Sequence, residues 1–329
     1  MERRTFIRAA GSTLLLLGAT LRGRAQAPAT TARHIGFLSL GSRASPAQLL
    51  EVYAPLRELG WIEGQNLIVE RRNADGRAEL LRPLAEELVR LNVEIIVTSG
   101  TDAAFAAKSA TTIIPIVLLA AGDPVRAGLV ASLARPGGNI TGFSIVSPEL
   151  DAKRLEVLHE LLPTAQRIGV LVNPTNPISS IGRDDYERMF RSLGIELRFV
   201  EVSVPNKEEG AVETVARQRC QGMIVSGDNI FTLNRVALMR AALKFALPTM
   251  VPDREFLEVG GLLFYAHSAR ESNRRYAAFI DKILKGAKPA DLPIEQPTQF
   301  ELGINLKTAK ALGLTIPQAL LLRADDVIQ

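Results

Sequence analysis

Short apolar runs alternate with longer segments of helical periodicity along most of the chain. The runs are four to seven residues long and rich in Ile, Val and Leu, which is typical of strands buried on both faces. They predict strands at residues 34–40, 66–71, 94–98, 115–119, 140–145, 167–172, 196–202, 222–226, 248–251 and 262–266. The segments between them predict helices near 46–59, 77–91, 102–110, 124–134, 149–161, 181–193, 207–218, 232–246 and 269–285. Strands that alternate with helices of this length predict parallel sheets and an α/β fold.

The same pattern occurs twice in the chain. Residues 34–40 correspond to 167–173, 59–70 to 193–200, 96–100 to 224–227 and 114–117 to 247–251, at offsets between 128 and 134 residues. Four correspondences in the same order predict two similar, doubly wound parallel-sheet lobes. Two such lobes enclose a cleft, and clefts between domains are common sites of small-ligand binding.

Segments rich in Pro and Gly predict where the chain passes from one lobe to the other. They lie at 135–148, 259–261 and 286–297. We therefore expect residues 33–143 plus 260–288 to form lobe one, and 144–259 plus 289–329 to form lobe two. A hinge with three crossings permits bending of the lobes while limiting its direction.

The first 27 residues resemble an export signal. Arg3, Arg4 and Arg8 precede an apolar stretch at 9–21, and its 13 residues are fewer than the roughly 20 that span a bilayer. Small residues at 25–29 predict cleavage in that segment. The Arg3-Arg4 pair favours the twin-arginine route, and an ordinary secretory signal with paired arginines is the alternative. Either route predicts a periplasmic protein.

Removal of this segment changes the charge of the chain. The full sequence has 39 Lys+Arg and 35 Asp+Glu, and residues 1–27 hold five of the arginines and one glutamate, which leaves 34 of each sign. A balanced charge without basic blocks argues against nucleic-acid binding. No other apolar run approaches the length of a membrane span, and Cys220 is the only cysteine, so an intrachain disulfide is impossible. We expect a mature protein that is monomeric and not inserted in a membrane.

Four motifs resemble the substrate-binding proteins of ABC transporters, of the tryptophan/tyrosine type. They are LARPGGNITG at 133–142, DPV at 123–125, KILKGAKP at 282–289 and FELGINLKTAKALGLTIP at 300–317. The resemblance extends over essentially all of the mature chain. It implies a type I periplasmic-binding-protein fold, capture of a small solute outside the membrane and its delivery to a membrane permease. It supports this role better than it identifies the solute, for which an amino acid or a related organic acid is our expectation.

Ligands of open α/β lobes meet the loops at the carboxyl ends of the strands. In lobe one these loops supply Gly41, Ser42, Ser99, Gly100, Thr101 and Asp123 as candidate ligand-binding residues. Backbone N–H groups and small hydroxyls at a helix N-terminus suit a ligand carboxylate or phosphate. The alternative is that the side chains of Ser99, Thr101 and Asp123 only cap the helices that follow.

The corresponding loops of lobe two supply Asn173, Asn176 and Asp228, and Tyr265 lies near the second crossing. The asparagines offer an amide donor and acceptor for a polar ligand, or they serve only the turn. Asp228 is expected to face 99–101 across the cleft, and either Asp123 or Asp228 to hold a ligand cation. Removal of Asp228 is expected to leave folding largely intact. Tyr265 either stacks on the ligand or belongs to the core.

The sequence does not favour catalysis. His34, His159 and His267 have no metal-ligand spacing, and there is no nucleophile elbow, P-loop or dinucleotide-binding glycine motif. We expect no catalytic residue, metal ion or cofactor. A cleft enzyme and a binding protein that partners a membrane receptor remain as alternatives. A sugar-responsive transcription regulator shares the fold, but residues before His34 leave no room for a helix-turn-helix.

Overall fold

The structure is a computed structural model that describes residues 32–42, 46–145, 148–176, 183–192, 194–203 and 207–329. The expected export signal lies outside these ranges. The strands are β1 (Arg33–Ser39), β2 (Leu67–Asn73), β3 (Ile95–Ser99), β4 (Ile116–Ala121), β5 (Ile140–Ser144), β6 (Arg167–Val172), β7 (Glu196–Glu201), β8 (Gly222–Val225), β9 (Thr249–Val251), β10 (Leu263–His267), β11 (Phe300–Asn305) and β12 (Asp326–Ile328).

The α-helices among the described residues alternate with these strands. They are α1 (Pro46–Glu58), α2 (Leu81–Arg90), α3 (Thr101–Ala110), α4 (Pro148–Leu161), α5 (Arg183–Ser192), α6 (Glu208–Arg217), α7 (Asn229–Leu233), α8 (Arg235–Lys244), α9 (Arg254–Glu258), α10 (Ala269–Leu284), α11 (Leu306–Ala311) and α12 (Gln318–Leu321). Residues 124–134, predicted to be helical, instead form a series of turns. Gly128 adopts a φ of +74° there, which interrupts a right-handed helix.

The first sheet has the strand order β2-β1-β3-β4-β5, and all its strand pairs are parallel. Its central strand, β3, is buried on both faces. Leu56 of α1 and Ile280 of α10 belong to the core on one face, and Leu88 of α2 and Ala104 of α3 belong to the core on the other. Because helices cover both faces, the strands carry continuous apolar runs instead of alternating patterns.

The second sheet has the order β12-β11-β10-β9-β8-β6-β7. The order β7-β6-β8-β9-β10 repeats that of the first sheet, so the repeat predicted from the sequence is a repeat of topology. Strand β11 is antiparallel to β10, and β11 and β12 extend this sheet beyond the repeat. Two hydrophobic cores cover its faces, one around Phe231 and Phe256 and the other around Phe190 and Leu158. The fold class is therefore two doubly wound, mainly parallel α/β lobes, as predicted.

The predicted lobe bounds need two corrections. Strand β10, which we assigned to lobe one, pairs with β9 and β11 in the second sheet. The Gly260-Gly261 segment ends α9 and turns directly into β10, with the Gly261 N–H bonded to the Phe256 carbonyl at 2.8 Å, so it is no linker. Residues 292–295, which we assigned to lobe two, lie along β5: the Ser144 N–H donates to the Glu295 carbonyl at 2.9 Å.

Within the described ranges the chain thus crosses between the sheets three times: between β5 and α4, at Ser268, and between Glu295 and Phe300. The second and third crossings are tied together by Glu271 on α10, which accepts hydrogen bonds from the Gln299 N–H at 2.9 Å and the Thr298 N–H at 3.2 Å. We propose that lobe one comprises residues 33–145 plus 269–297, and that lobe two comprises residues 148–267 plus 298–329. Within the described ranges, the helices are too short or too polar to span a membrane.

Candidate ligand-binding site

A cavity of about 1600 Å³ lies between the two sheets, at the carboxyl ends of their parallel strands. Both lobes contribute to its wall. Much of the wall is apolar and aromatic, and its larger members are Phe37, Tyr53 and Leu119 from the first lobe and Val170, Phe199 and Phe264 from the second. Polar and charged groups lie both on the loops that follow the strands and on helices, as Gln48 of α1, Arg154 of α4 and Arg235 of α8 do. A wall of this kind suits a small ligand with an apolar body and a polar end.

Side chains at the edge of the cavity join the lobes directly. The Gln48 Nε2 atom on α1 donates to the Glu255 Oε1 atom on α9 at 2.7 Å. Glu255 in turn pairs with Arg235 at 3.2 Å. Deeper in the cleft, a Cβ atom added at Gly100 would lie 3.0 Å from the Asn229 Nδ2 atom. These contacts define a closed arrangement, in which the cleft faces of both lobes touch.

The loop after β3 lies on the cavity, as predicted, and Ser99, Gly100 and Thr101 all line it. The N-cap of α3 is Gly100, which has no side chain, and among the described residues no side chain accepts the first N–H groups of this helix. The capping alternative for Ser99 and Thr101 is therefore wrong. The Thr101 hydroxyl instead accepts the Gly122 N–H at 3.0 Å and ties two cavity loops together. With no side-chain cap, the first N–H groups of α3 are left to solvent or to a ligand.

Asp123 lines the cavity and also caps the turn that follows it. Its Oδ1 atom accepts the N–H groups of Val125 and Arg126, both at 3.0 Å. Ser42 lines the cavity as well. Gly41 does not, although its N–H donates to the Ser39 hydroxyl at 3.0 Å and shapes the same loop.

Asp228 is the centre of the polar network in lobe two. Its carboxylate accepts Asn176 Nδ2 at 2.7 Å, Asn173 Nδ2 at 3.2 Å and the N–H of Ile230, the second residue of α7, at 2.9 Å. Asp228 and Asn176 line the cavity, whereas Asn173 is buried behind them and holds the Thr175 hydroxyl at 2.7 Å. Asp228 is only 8% exposed, so the expectation that its removal leaves folding intact has lost its basis.

Tyr265 does not line the cavity. Its ring stacks on Phe300 at a centroid distance of 5.8 Å and packs against the core on the other face of the second sheet. Its neighbours Phe264 and Ala266 line the cavity instead. Alternate residues of a strand point to opposite faces, so the core alternative for Tyr265 is correct.

The sequence reasoning missed several titratable groups of the cavity wall, among them Asp102, His267 and Arg154. Asp102 follows directly after the predicted loop, and burial together with the field of Asp228 raises its pKa to about 6. His267 ends β10, and burial and the nearby Arg154 lower its pKa to about 4. Arg154 itself donates from Nε to the Tyr265 carbonyl at 2.8 Å. Asp102 could have been found from the sequence, because it lies directly after a predicted strand and its loop. The sequence contains no pattern that places α4, which carries Arg154, against β10.

The described residues contain no group of three or more His, Cys, Asp or Glu side chains arranged to hold a metal ion. Cys220 is buried, and burial raises the pKa of its thiol.

Comparison with known proteins identifies the family. A model of the ABC transporter substrate binding protein family matches residues 49–328. The chain belongs to this family. It is 27% identical over 259 residues to the tyrosine-binding protein of Clostridioides difficile (strain R20291). The matched region covers 79% of this chain and 74% of that protein.

Solved structures of similar proteins share the fold over nearly the whole chain. The ABC domain from Streptococcus pneumonia in complex with L-Trp is 26% identical, with a TM-score of 0.84 over 91% of this chain and 100% of that one. A conserved domain protein from Vibrio cholerae O1 biovar El Tor (strain N16961) is 27% identical, with a TM-score of 0.85 over 90% and 100%. The fold of this family member is the type I periplasmic-binding-protein fold.

Proposed function

We propose that this chain is the extracytoplasmic binding component of an ABC importer, and that it captures an amino acid with a large apolar side chain. The observation that carries this proposal is the closed cavity between the lobes. Much of its wall is apolar and aromatic, and loops such as 99–101 and 226–229 contribute polar groups to it. An amino acid presents the same division between an apolar side chain and a charged end.

The relatives support the same ligand class. One similar protein is a tyrosine-binding protein, and one similar structure contains L-Trp. We propose Ser99, Gly100 and Thr101 for the ligand carboxylate, because the start of α3 offers N–H groups that no side chain caps. Asp228 and Asn176 of the second lobe are proposed for the polar groups on the opposite side of the ligand, and Asp123 of the first lobe for a ligand amine. Ser42 completes the set at the edge of the cavity.

The proposed mechanism is a two-state closure. A ligand that touches both lobes stabilises the closed form through contacts that do not exist in the open form. A permease then distinguishes loaded from empty protein by the relative orientation of the lobes. The export signal expected at residues 1–27 supports a location outside the cytoplasmic membrane, by the twin-arginine or the general secretory route. Fractionation of cells that express the full chain tests this location.

A thermal-shift screen of the mature protein tests the ligand class. We expect L-tryptophan, L-tyrosine or L-phenylalanine to raise the melting temperature, since a ligand at 100 times its Kd adds about 2.7 kcal/mol of stability. Monosaccharides and inorganic anions serve as negative controls. A shift with sugars and none with any amino acid would contradict the proposal.

A further inference from the structure

Two carboxylates from opposite lobes lie where the lobes meet. Asp102 is the second residue of α3 in the first lobe, and Asp228 directly precedes α7 in the second. Both line the cavity. The turns that carry them touch, because the position of a Gly100 Cβ atom lies 3.0 Å from Asn229 Nδ2. Closure of the cleft therefore brings the two acidic groups towards each other.

The two carboxylates differ in how they are satisfied. Asp228 accepts hydrogen bonds from Asn173, Asn176 and the Ile230 N–H, all from its own lobe. The Asp102 carboxylate accepts no hydrogen bond from the described residues. Burial first and Asp228 second raise the pKa of Asp102 to about 6. Both causes disfavour its charged form, and no charged side chain in the described part of lobe one offsets them.

The charged groups around Asp102 do not neutralise it. Those on the segments around α3 are Arg33 and His34 of β1, Arg82, Glu86, Glu87 and Arg90 of α2, Lys108 of α3 itself, Asp123 and Arg126 after β4, and Asp228 and Arg235 across the cleft. Asp228 alone among them perturbs the pKa of Asp102, and it does so in the unfavourable direction. The closed cleft thus carries an uncompensated negative charge at the meeting point of the lobes.

We infer that Asp102 is a specificity-determining residue, which together with Asp228 reserves the meeting point of the lobes for a positively charged group of the ligand. This inference rests on the proposed function, because it concerns the same cavity. The fitting chemistry is a primary ammonium group, which offers three N–H donors and one positive charge to two carboxylates. A ligand that lacks this charge leaves the buried carboxylate of Asp228 and the half-buried carboxylate of Asp102 in the closed cleft without a positive partner, which opposes closure. The α-ammonium of an amino acid meets the requirement, and the corresponding deaminated acid does not.

The first test uses the ligand-free protein, so that it does not depend on the identity of the ligand. Small-angle X-ray scattering at pH 7.5 compares the wild type with Asp102→Asn, which removes the charge at constant shape. We expect Asp102→Asn to have the smaller radius of gyration, because the like-charge repulsion that opposes closure is gone. Asp102→Ser provides a second neutral variant. Asp291→Asn, which neutralises an exposed carboxylate of the same lobe outside the cavity, is the matched control and should keep the radius of the wild type. Equal radii for the wild type and both Asp102 variants would overturn the inference.

The second test compares ligands that differ only in the ammonium group. Calorimetry measures L-tryptophan against 3-indolepropionate and L-tyrosine against 3-(4-hydroxyphenyl)propionate. We expect Asp102→Asn to weaken binding of the amino acids at least about tenfold while it leaves or improves binding of the deaminated acids. Equal losses for both members of a pair would contradict the inference. If the wild type binds none of the four compounds, the proposed ligand class fails, and the scattering experiment still decides the role of Asp102.

Discussion

Single polar residues of this cavity have structural as well as ligand-facing roles. Asp123 caps a turn while it lines the cavity, and Asp228 holds two asparagines and the start of α7. Such residues remain ordered without a ligand, because their hydrogen bonds within the lobe hold them. Asp102 lacks these bonds, and this sets it apart from Asp123 and Asp228.

The pH dependence of stability is expected to reflect His267. Its ring packs edge-on against Phe143, with the centroids 6.3 Å apart, and burial followed by Arg154 lowers its pKa to about 4. The charged groups that act on it are Arg154, which lowers the pKa, and Glu271, which raises it. The unfolded chain has a histidine pKa of about 6.5 and therefore binds more protons than the folded chain between pH 6.5 and 4. The contribution of His267 to the free energy of unfolding is therefore complete above about pH 6.5 and is lost as the pH falls to about 4.

Urea unfolding at pH 7.5 and pH 4.5 tests this expectation. Between these values the wild type is expected to lose about 2 kcal/mol more of its free energy of unfolding than His267→Gln does, because glutamine does not titrate. The raised pKa values of Asp102 and Asp253 change stability in the opposite direction. Because the wild type and His267→Gln both retain these two groups, their contributions cancel when the two proteins are compared. The same loss in both proteins would rule out His267 as the cause.

At the scale of elements, β5 depends on a single glycine. Gly142 has a φ of +130°, and a Cβ atom there would lie 2.4 Å from the backbone N and O atoms of Leu118 on β4. The register of the β4–β5 pair shifts just beyond this point, between Leu118 and Ala121. This close approach places Ser144, whose hydroxyl donates to the Gly122 carbonyl at 3.2 Å beside the cavity. The glycine thus connects strand pairing to the shape of the site.

Gly142→Ala is expected to lower the free energy of unfolding by about 3 kcal/mol or more, because neither strand backbone can move aside without breaking hydrogen bonds. Gly137→Ala is the matched control. Gly137 also has a positive φ, of +69°, but nothing lies within 4 Å of its Cβ position, so we expect a loss of only about 1 kcal/mol. Urea denaturation measures both. Similar losses would mean that φ strain alone, and not the contact with Leu118, accounts for the effect.

At the scale of the whole molecule, the closed form depends on contacts that join the lobes. The bond from Gln48 on α1 to Glu255 on α9 is direct, and the Arg235–Glu255 pair keeps Glu255 in position. The hydrogen bonds that Glu271 accepts from the N–H groups of residues 298–299 lie at the hinge and not between the cleft faces. The Gln48–Glu255 bond lies at the cavity edge and exists only when the lobes are together, so it shifts the equilibrium between open and closed forms.

Gln48→Ala is expected to weaken ligand affinity about 2- to 12-fold, which corresponds to a hydrogen bond of about 0.5–1.5 kcal/mol. The loss should appear in calorimetry with an amino acid identified by the thermal-shift screen. Gln65→Ala, on an exposed turn of the same lobe, is the control and should not change the affinity. An unchanged affinity in Gln48→Ala would show that this bond does not contribute to closure.

The sequence by itself determined the ten strands of the repeat and the existence of two similar lobes. Strands buried on both faces need continuous apolar runs, and such runs are visible without knowledge of their partners. It also located the loops 99–101 and 226–229 at one end of the strands, because the carboxyl ends of parallel strands share an edge.

Only the tertiary structure decided which strands and side chains meet. Strand β10 joined the second lobe because its partners are β9 and β11, and strand pairing over such distances leaves no local pattern. Tyr265 turned to the core while Phe264 turned to the cavity, since register selects the face. Asp102 and Asp228 come near each other only because the two lobes approach. They are 126 positions apart in the chain, so packing alone brings them together.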